Sequence, residues 1–200
     1  MRQTRRVFRP LVLLATLASV PGCEGESDDD GACGGGIAAT VLAVTDGDTI
    51  KTDGPEKVRF LGVEAPETHQ TRPTECPAEW EDMDPADQAQ YLEACCYGGQ
   101  AKQMLQWLLP VGTTVCLVNP EGGDLEIDYF KRSLADVYVG GTYVNGKLAA
   151  GGYVRVYPEG HEYRHPTMGA ELDALQAAAS AADAGLWGYC YQQSTMCIGE

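Results

Sequence analysis

From Ile37 onward the chain alternates apolar and polar positions in short, β-branched stretches. IAATVLAVTDG, DTIKTDG and KVRFLGV follow one another; the second closes on an Asp-Gly hairpin signal, and the third sets Val58, Phe60 and Gly62 on one face. Together they predict three consecutive strands. Residues 69–97 break the pattern: they are polar, punctuated by proline and cysteine-bearing. They predict a long loop with a short helix near PADQAQYLEA. In GGQAKQMLQWLLP the apolar residues Met104, Leu105, Leu108 and Leu109 recur at helical spacing until Pro110 stops them. TTVCLV predicts a further strand, RSLADVYVGGTYV a hairpin around Gly140 and Gly141, and VNGKLAAGG a short helix. The alanine-rich GAELDALQAAASAADAGLW predicts a last helix ending at Gly185. Strands, a helix, more strands and then helices make the fold class α+β with a small antiparallel barrel.

The first 36 residues follow no such pattern. MRQTRRVFRP carries four arginines and no acid, and the ten-residue apolar run LVLLATLASV follows it. A bilayer span needs about 20 residues, so this run suits the apolar region of an export signal. VPGC then places Cys23 behind a small residue, as in the lipobox of bacterial lipoproteins. This predicts a signal peptide over 1–22, lipid on Cys23 and an extracytoplasmic location on a bacterial membrane. TRRVF also resembles a twin-arginine signal. Residues 23–36, acidic and glycine-rich with almost nothing apolar to bury, predict a flexible tether. A domain over 37–190, with an insertion at about 69–97, and a cysteine-containing tail over 191–200 complete the organisation.

Charge narrows the function. The chain holds 29 acids against 14 lysines and arginines, a formal charge of −15. Losing residues 1–22 removes four arginines and no acid, which takes it to −19. That sign opposes diffuse binding to phosphate backbones, so any phosphate site must be local and metal-assisted. Beyond Cys23 there are seven cysteines, an odd number that fits an oxidising compartment with one thiol left over. Cys76 with Cys95 or Cys96, and Cys190 with Cys197, are the expected pairs. No CxxC pair exists for structural zinc.

Carboxylates and arginines then converge. Asp46 and Asp48 sit in the turn between strands one and two, and Glu64 and Glu67 follow strand three. In a three-stranded meander these places share one end of the sheet, so Asp48 and Glu64 are placed to share a hard, oxygen-loving cation such as Ca²⁺. Arg59 lies on strand three and Arg132 opens a later strand. Planar guanidinium groups bind phosphate bidentately and stabilise charge building on it.

DGDT, RFLGVEAPET and the later D-x-x-x-R-x-L-A, in that order, with VNGKLAAGG and the closing GLW, resemble the staphylococcal nuclease (thermonuclease-like) family over roughly residues 37–188. The resemblance implies a five-stranded OB-fold β-barrel with packed helices, and a Ca²⁺-dependent nuclease acting on DNA and RNA as a monomer. Carried across by motif, Asp48 and Glu64 are metal carboxylates and Ala65 offers its carbonyl. Glu64 replaces the family's usual aspartate. Glu67 is the general base, Arg59 and Arg132 clamp the transition state, and Lys131 and Tyr157 contact substrate. Tyr129-Phe130-Lys131 departs from the family's lysine-tyrosine-glycine arrangement.

Two other readings compete. HEYRH, residues 161–165, matches the zinc-peptidase pattern, but Pro166 follows the second histidine and disfavours the helix that the mechanism requires. A non-catalytic OB module that binds oligonucleotide, protein or Ca²⁺ is the other; retention of Arg59, Glu67 and Arg132 argues for the nuclease.

Overall fold

A computed structural model describes residues 33–68, 82 and 97–188. The three predicted strands form as β1 (Ile37–Asp46), β2 (Thr49–Thr52) and β3 (Lys57–Phe60). A two-residue strand β4 (Val63–Glu64) follows, then helix α1 (Gly98–Leu108), β5 (Thr114–Val118), β6 (Ser133–Val139) and β7 (Thr142–Tyr143). Helix α2 (Val144–Ala150), β8 (Arg155–Val156) and helix α3 (Gly169–Ala181) complete the order.

The strands run β3-β2-β1-β5-β6-β7, and a β3–β6 pairing closes the five longer ones into a barrel. The meander is antiparallel, as its short turns require, but the closing pair is parallel, with Val58 opposite Ser133 and Phe60 opposite Ala135. The antiparallel expectation therefore fails at the seam, where distant segments rather than hairpin neighbours meet. β1 manages two partners. Ile37 to Thr40 pair with β5, and from Val41 onward it pairs with β2 through two irregularities in register. Such offsets bend a strand and let a small barrel turn its corner.

The period-two residues fill the interior: Val41, Ile50, Val58, Phe60, Leu117 and Val137 are all buried. Leu105 and Leu109 of the α1 segment, Val144 and Leu148 of α2, and Leu172 of α3 cover the barrel ends. At ~25 cal/mol per Å² of apolar surface removed from water, each large aliphatic contributes about 1.5–3 kcal/mol. The β6–β7 turn needs left-handed backbone at both central positions, and Gly140 (φ +52°) and Gly141 (φ +78°) supply it. The final helix stops at Ala181, four residues short of the predicted Gly185. Gly185 (φ +58°) serves a later turn that packs on Gly152, whose carbonyl accepts the Leu186 N–H at 2.8 Å.

A disulfide joins Cys33 to Cys116 on β5, 83 residues apart. The stretch expected to be tether is thus fastened to the barrel at its last four residues. The expected partners Cys76, Cys95, Cys96, Cys190 and Cys197 lie outside the described residues, as do Cys23, the signal peptide and the helix near PADQAQYLEA. Among the described residues no helix is long and apolar enough to cross a membrane.

Candidate active site

Three elements meet at one end of the barrel because three residues there are small. Gly47 lies in the β1–β2 turn, Ala65 follows β4 and Ala101 is on α1. A Cβ on Gly47 would stand 2.6 Å from the Ala101 methyl and 2.7 Å from that of Ala65. Gly98, in the first turn of α1, abuts the carbonyls of Pro66 and Glu67 just as tightly. Any side chain at either glycine would push the carboxylate-bearing loops apart.

Asp48 is 1% exposed at the centre of this junction. Its Oδ1 meets Arg59 Nη1 and accepts the Thr49 hydroxyl at 2.8 Å; its Oδ2 accepts the Ala65 N–H at 2.5 Å. The Asp48 carbonyl accepts the Phe60 N–H at 2.9 Å, which fixes the turn against β3. Burial pushes the Asp48 carboxyl above its ordinary value, against the pull of Arg59, the Ala65 amide and the Thr49 hydroxyl. A buried carboxylate held this way gains from any further positive charge.

Strand alternation sends Arg59 to the outer face of β3, yet it is only 7% exposed. The β4–β8 ribbon, with Val63 opposite Val156 and Glu64 opposite Arg155, forms a second layer beside it. Arg59 Nη2 donates to the Tyr157 hydroxyl at 3.0 Å and to the Val63 carbonyl at 3.4 Å, and lies 4.0 Å from Glu64 Oε1. Burial pulls its pKa down, but Asp48, Tyr157 and Glu64 outweigh that and hold it above the usual value. Arg59 Nε is buried with no hydrogen-bond partner among the described residues. An unmet guanidinium donor in a carboxylate-lined junction is costly unless an acceptor arrives, and a phosphate oxygen is such an acceptor.

Tyr157 donates its hydroxyl to Glu64 Oε1 at 3.2 Å. Burial, with Arg59 opposing, pushes the phenol up to about 12, so it stays protonated as a donor. Glu67 is exposed, and its carboxyl is raised first by desolvation, then by Asp46 and Asp48, with Arg59 opposing and Glu64 adding a smaller push. Four acids therefore share one electrostatic neighbourhood. Among the described residues no three acids, histidines or cysteines form a ready-made metal cage. The donor chemistry nevertheless fits Ca²⁺: all the side-chain donors are hard oxygens, and like-charge crowding at Glu67 is relieved by a divalent cation.

Arg132 has a separate set of partners. Its Nε donates to Asp128 Oδ2 at 2.6 Å, its Nη2 lies 2.6 Å from the same oxygen, and its backbone N–H donates to Asp128 Oδ1 at 2.8 Å. The guanidinium also lies 5.1 Å from the Phe130 ring centre. Since Ser133 pairs with Val58 and Leu134 with Arg59, Arg132 stands one strand over and just before Arg59 along the barrel. Lys131, exposed beside it, takes φ +60°, a left-handed conformation that glycine adopts more readily. Contacts thus join Asp48, Arg59, Glu64, Ala65 and Tyr157, Glu67 shares their field, and Arg132 and Lys131 rest on Asp128.

HEYRH forms turns, not a helix, and its histidines part company. His165 Nε2 lies 2.9 and 3.0 Å from the two Asp136 oxygens, and its Nδ1 accepts the Met168 N–H at 2.9 Å. His161 stacks on Tyr157. Asp128 is the first residue of the D-x-x-x-R-x-L-A motif that also holds Arg132, but the motif gave no sign that the two side chains pair.

A family model described as staphylococcal nuclease homologue matches residues 57–189. No curated protein matches the chain.

Proposed function

The chain belongs to the staphylococcal nuclease homologue family, which supports a nuclease-like activity in general terms; from that premise we propose that it is an exported, Ca²⁺-dependent nuclease hydrolysing phosphodiester bonds of DNA or RNA. The observation that carries the reading is the buried Asp48–Arg59 pair, linked through Tyr157 to Glu64 and set beside Glu67 in one acidic field. Structural ion pairs rarely gather three further acids and an unmet guanidinium donor.

Asp48 and Glu64, with the Ala65 carbonyl, would hold Ca²⁺; when bound, the cation supplies positive charge that draws phosphate into an otherwise repellent site. Glu67 takes the proton from the attacking water, and its raised pKa brings its basicity closer to that task. The water oxygen bonds to phosphorus in line with the departing ester oxygen. Arg59, through its unmet Nε, and Arg132, on release of part of its Asp128 pairing, neutralise the charge that builds on the non-bridging oxygens. Lys131 adds a phosphate contact at the rim.

Glu67→Gln lowers kcat by about 10²–10⁴-fold while leaving the melting temperature near that of the parent, and a chelator abolishes cleavage of single-stranded DNA. Equal rates for parent and Glu67→Gln would remove Glu67 from the mechanism. A non-catalytic OB module is the second reading, favoured by the resting pairing of Asp48 with Arg59 and of Arg132 with Asp128. Binding of an oligonucleotide with Ca²⁺ and no product formation would select it. Lipid on Cys23 is part of the proposal, and Cys23→Ser should release the protein from the membrane fraction.

A further inference from the structure

The turn between β8 and α3 carries a ring that this chemistry leaves unused. His161 lies face to face on Tyr157, with ring centres 4.2 Å apart and planes 15° from parallel. Tyr157 is buried and its hydroxyl touches Arg59 and Glu64, whereas His161 is exposed. The stack therefore starts at the phosphate-handling groups and runs outward to solvent. Tyr163 flanks both rings obliquely, 5.6 Å from Tyr157 and 5.7 Å from His161. The turn and its ring are held separately: the His161 N–H donates to the Pro158 carbonyl at 3.2 Å and the His161 carbonyl accepts the Arg164 N–H at 2.9 Å, while the imidazole Nδ1 accepts the Tyr163 N–H at 3.2 Å.

We propose that His161 is a specificity-determining residue, a stacking surface for the nucleobase next to the scissile phosphodiester. This rests on the nuclease reading above and names how that site takes hold of its substrate. Place supports it, because one side chain separates the imidazole from the guanidinium that meets the phosphate, as one sugar separates base from phosphate. Order supports it, because a ring already placed by the Nδ1 hydrogen bond and the Tyr157 stack, on a hydrogen-bonded turn, loses little freedom when a base settles on it. Charge supports it most. With 29 acids against 14 cations the chain repels a phosphate backbone at long range. Stacking contributes about 1–3 kcal/mol per base without relying on that field, and imidazoles are among the rings that bases use. The substrate this selects is a strand whose bases are unpaired and free to turn outward; a continuous duplex keeps its faces buried in its own stack.

The test uses the full chain, its His161→Ala and His161→Phe variants, and a single-stranded oligonucleotide carrying 2-aminopurine, whose fluorescence is quenched by stacking. The parent and His161→Phe quench it; His161→Ala does not. With Ca²⁺ present, His161→Ala raises KM about tenfold with kcat within twofold, the Phe variant restores KM, and a strand of abasic sites is cut equally by all three. Equal quenching by parent and His161→Ala, or a Phe variant that behaves like Ala, overturns the inference. Parent quenching without cleavage, with loss of quenching in the Ala variant, keeps the stacking role and sinks the hydrolase reading. Cleavage with KM unmoved in the Ala variant does the reverse.

Discussion

Of the three aspartates buried among the described residues, Asp136 and Asp48 have surroundings that differ in kind. Asp136, 2% exposed on β6, is met entirely by neutral groups: His165 Nε2, the Tyr143 hydroxyl at 3.0 Å and the Asn145 amide at 3.5 Å. His165 accepts backbone N–H groups at Nδ1, so its proton lies on Nε2 and points at the carboxylate. Asn145 extends the network to the Leu61 and Ala135 carbonyls. Every member is satisfied and closed off, which is the mark of a structural network. Asp48, 1% exposed, has one cation, one hydroxyl and one amide, with three more acids around it and a guanidinium donor left over. Burial does not set the candidate site apart from the structural network; the unbalanced charge around Asp48 does.

Isosteric amides break the comparison most sharply. Asp136→Asn turns a donor toward donors and should cost roughly 3 kcal/mol or more, lowering Tm by about 10 °C while cleavage per folded molecule is kept. Asp48→Asn leaves the Arg59 guanidinium buried without its counter-charge, so it also costs roughly 3 kcal/mol or more, but it takes turnover with it. Cleavage per folded molecule falls by roughly 100-fold or more, and Tm, read by calorimetry, falls by about as much as in Asp136→Asn. If both variants lose stability alike and neither loses turnover, the contrast is empty.

A smaller effect tests whether surface pairs share this logic. Arg164 donates Nη1 and Nη2 to the two Asp173 oxygens at 2.8 and 2.6 Å, and those bonds hold the Asp173 carboxyl below its ordinary 3.8. A depressed folded value means the contribution is complete above 3.8 and is lost as pH falls through the folded pKa. Asp173→Asn should therefore lie under the parent in urea unfolding at neutral pH, by less than about 1 kcal/mol for a pair this exposed. The gap closes in acid; one that widens there refutes the assignment. Smallest of all, Lys131→Gly relieves a left-handed backbone and should leave stability in urea unfolding unchanged or raise it by at most about 1 kcal/mol.

The sequence made the barrel legible where one residue type per face repeats: Val58 and Phe60, or Leu105 and Leu109, announce their own burial. Asp48, Glu64 and Glu67 were legible because motif order placed two turns at one end of a meander. What escaped was set by distant partners. Period two puts Arg59 outside, and only the two-residue strands β4 and β8, too short to leave a pattern, with Tyr157, cover it. The parallel β3–β6 seam joins segments more than seventy residues apart. Cys33 lies in a stretch with almost no apolar residue to predict docking, so its link to Cys116 had no local sign. His161 and His165 share a five-residue motif and play unrelated roles because a turn, not a helix, carries them.

The Cys33–Cys116 bond also sets a length. If the protein hangs from lipid on Cys23, nine residues lie between that point and the clamp, a span of at most roughly 35 Å. The barrel then works within about one protein diameter of the membrane, always presented from the β5 side. Reduction of that bond would lengthen the connection by only the few residues before Ile37, because β1 itself enters the barrel paired to β5 at Leu117.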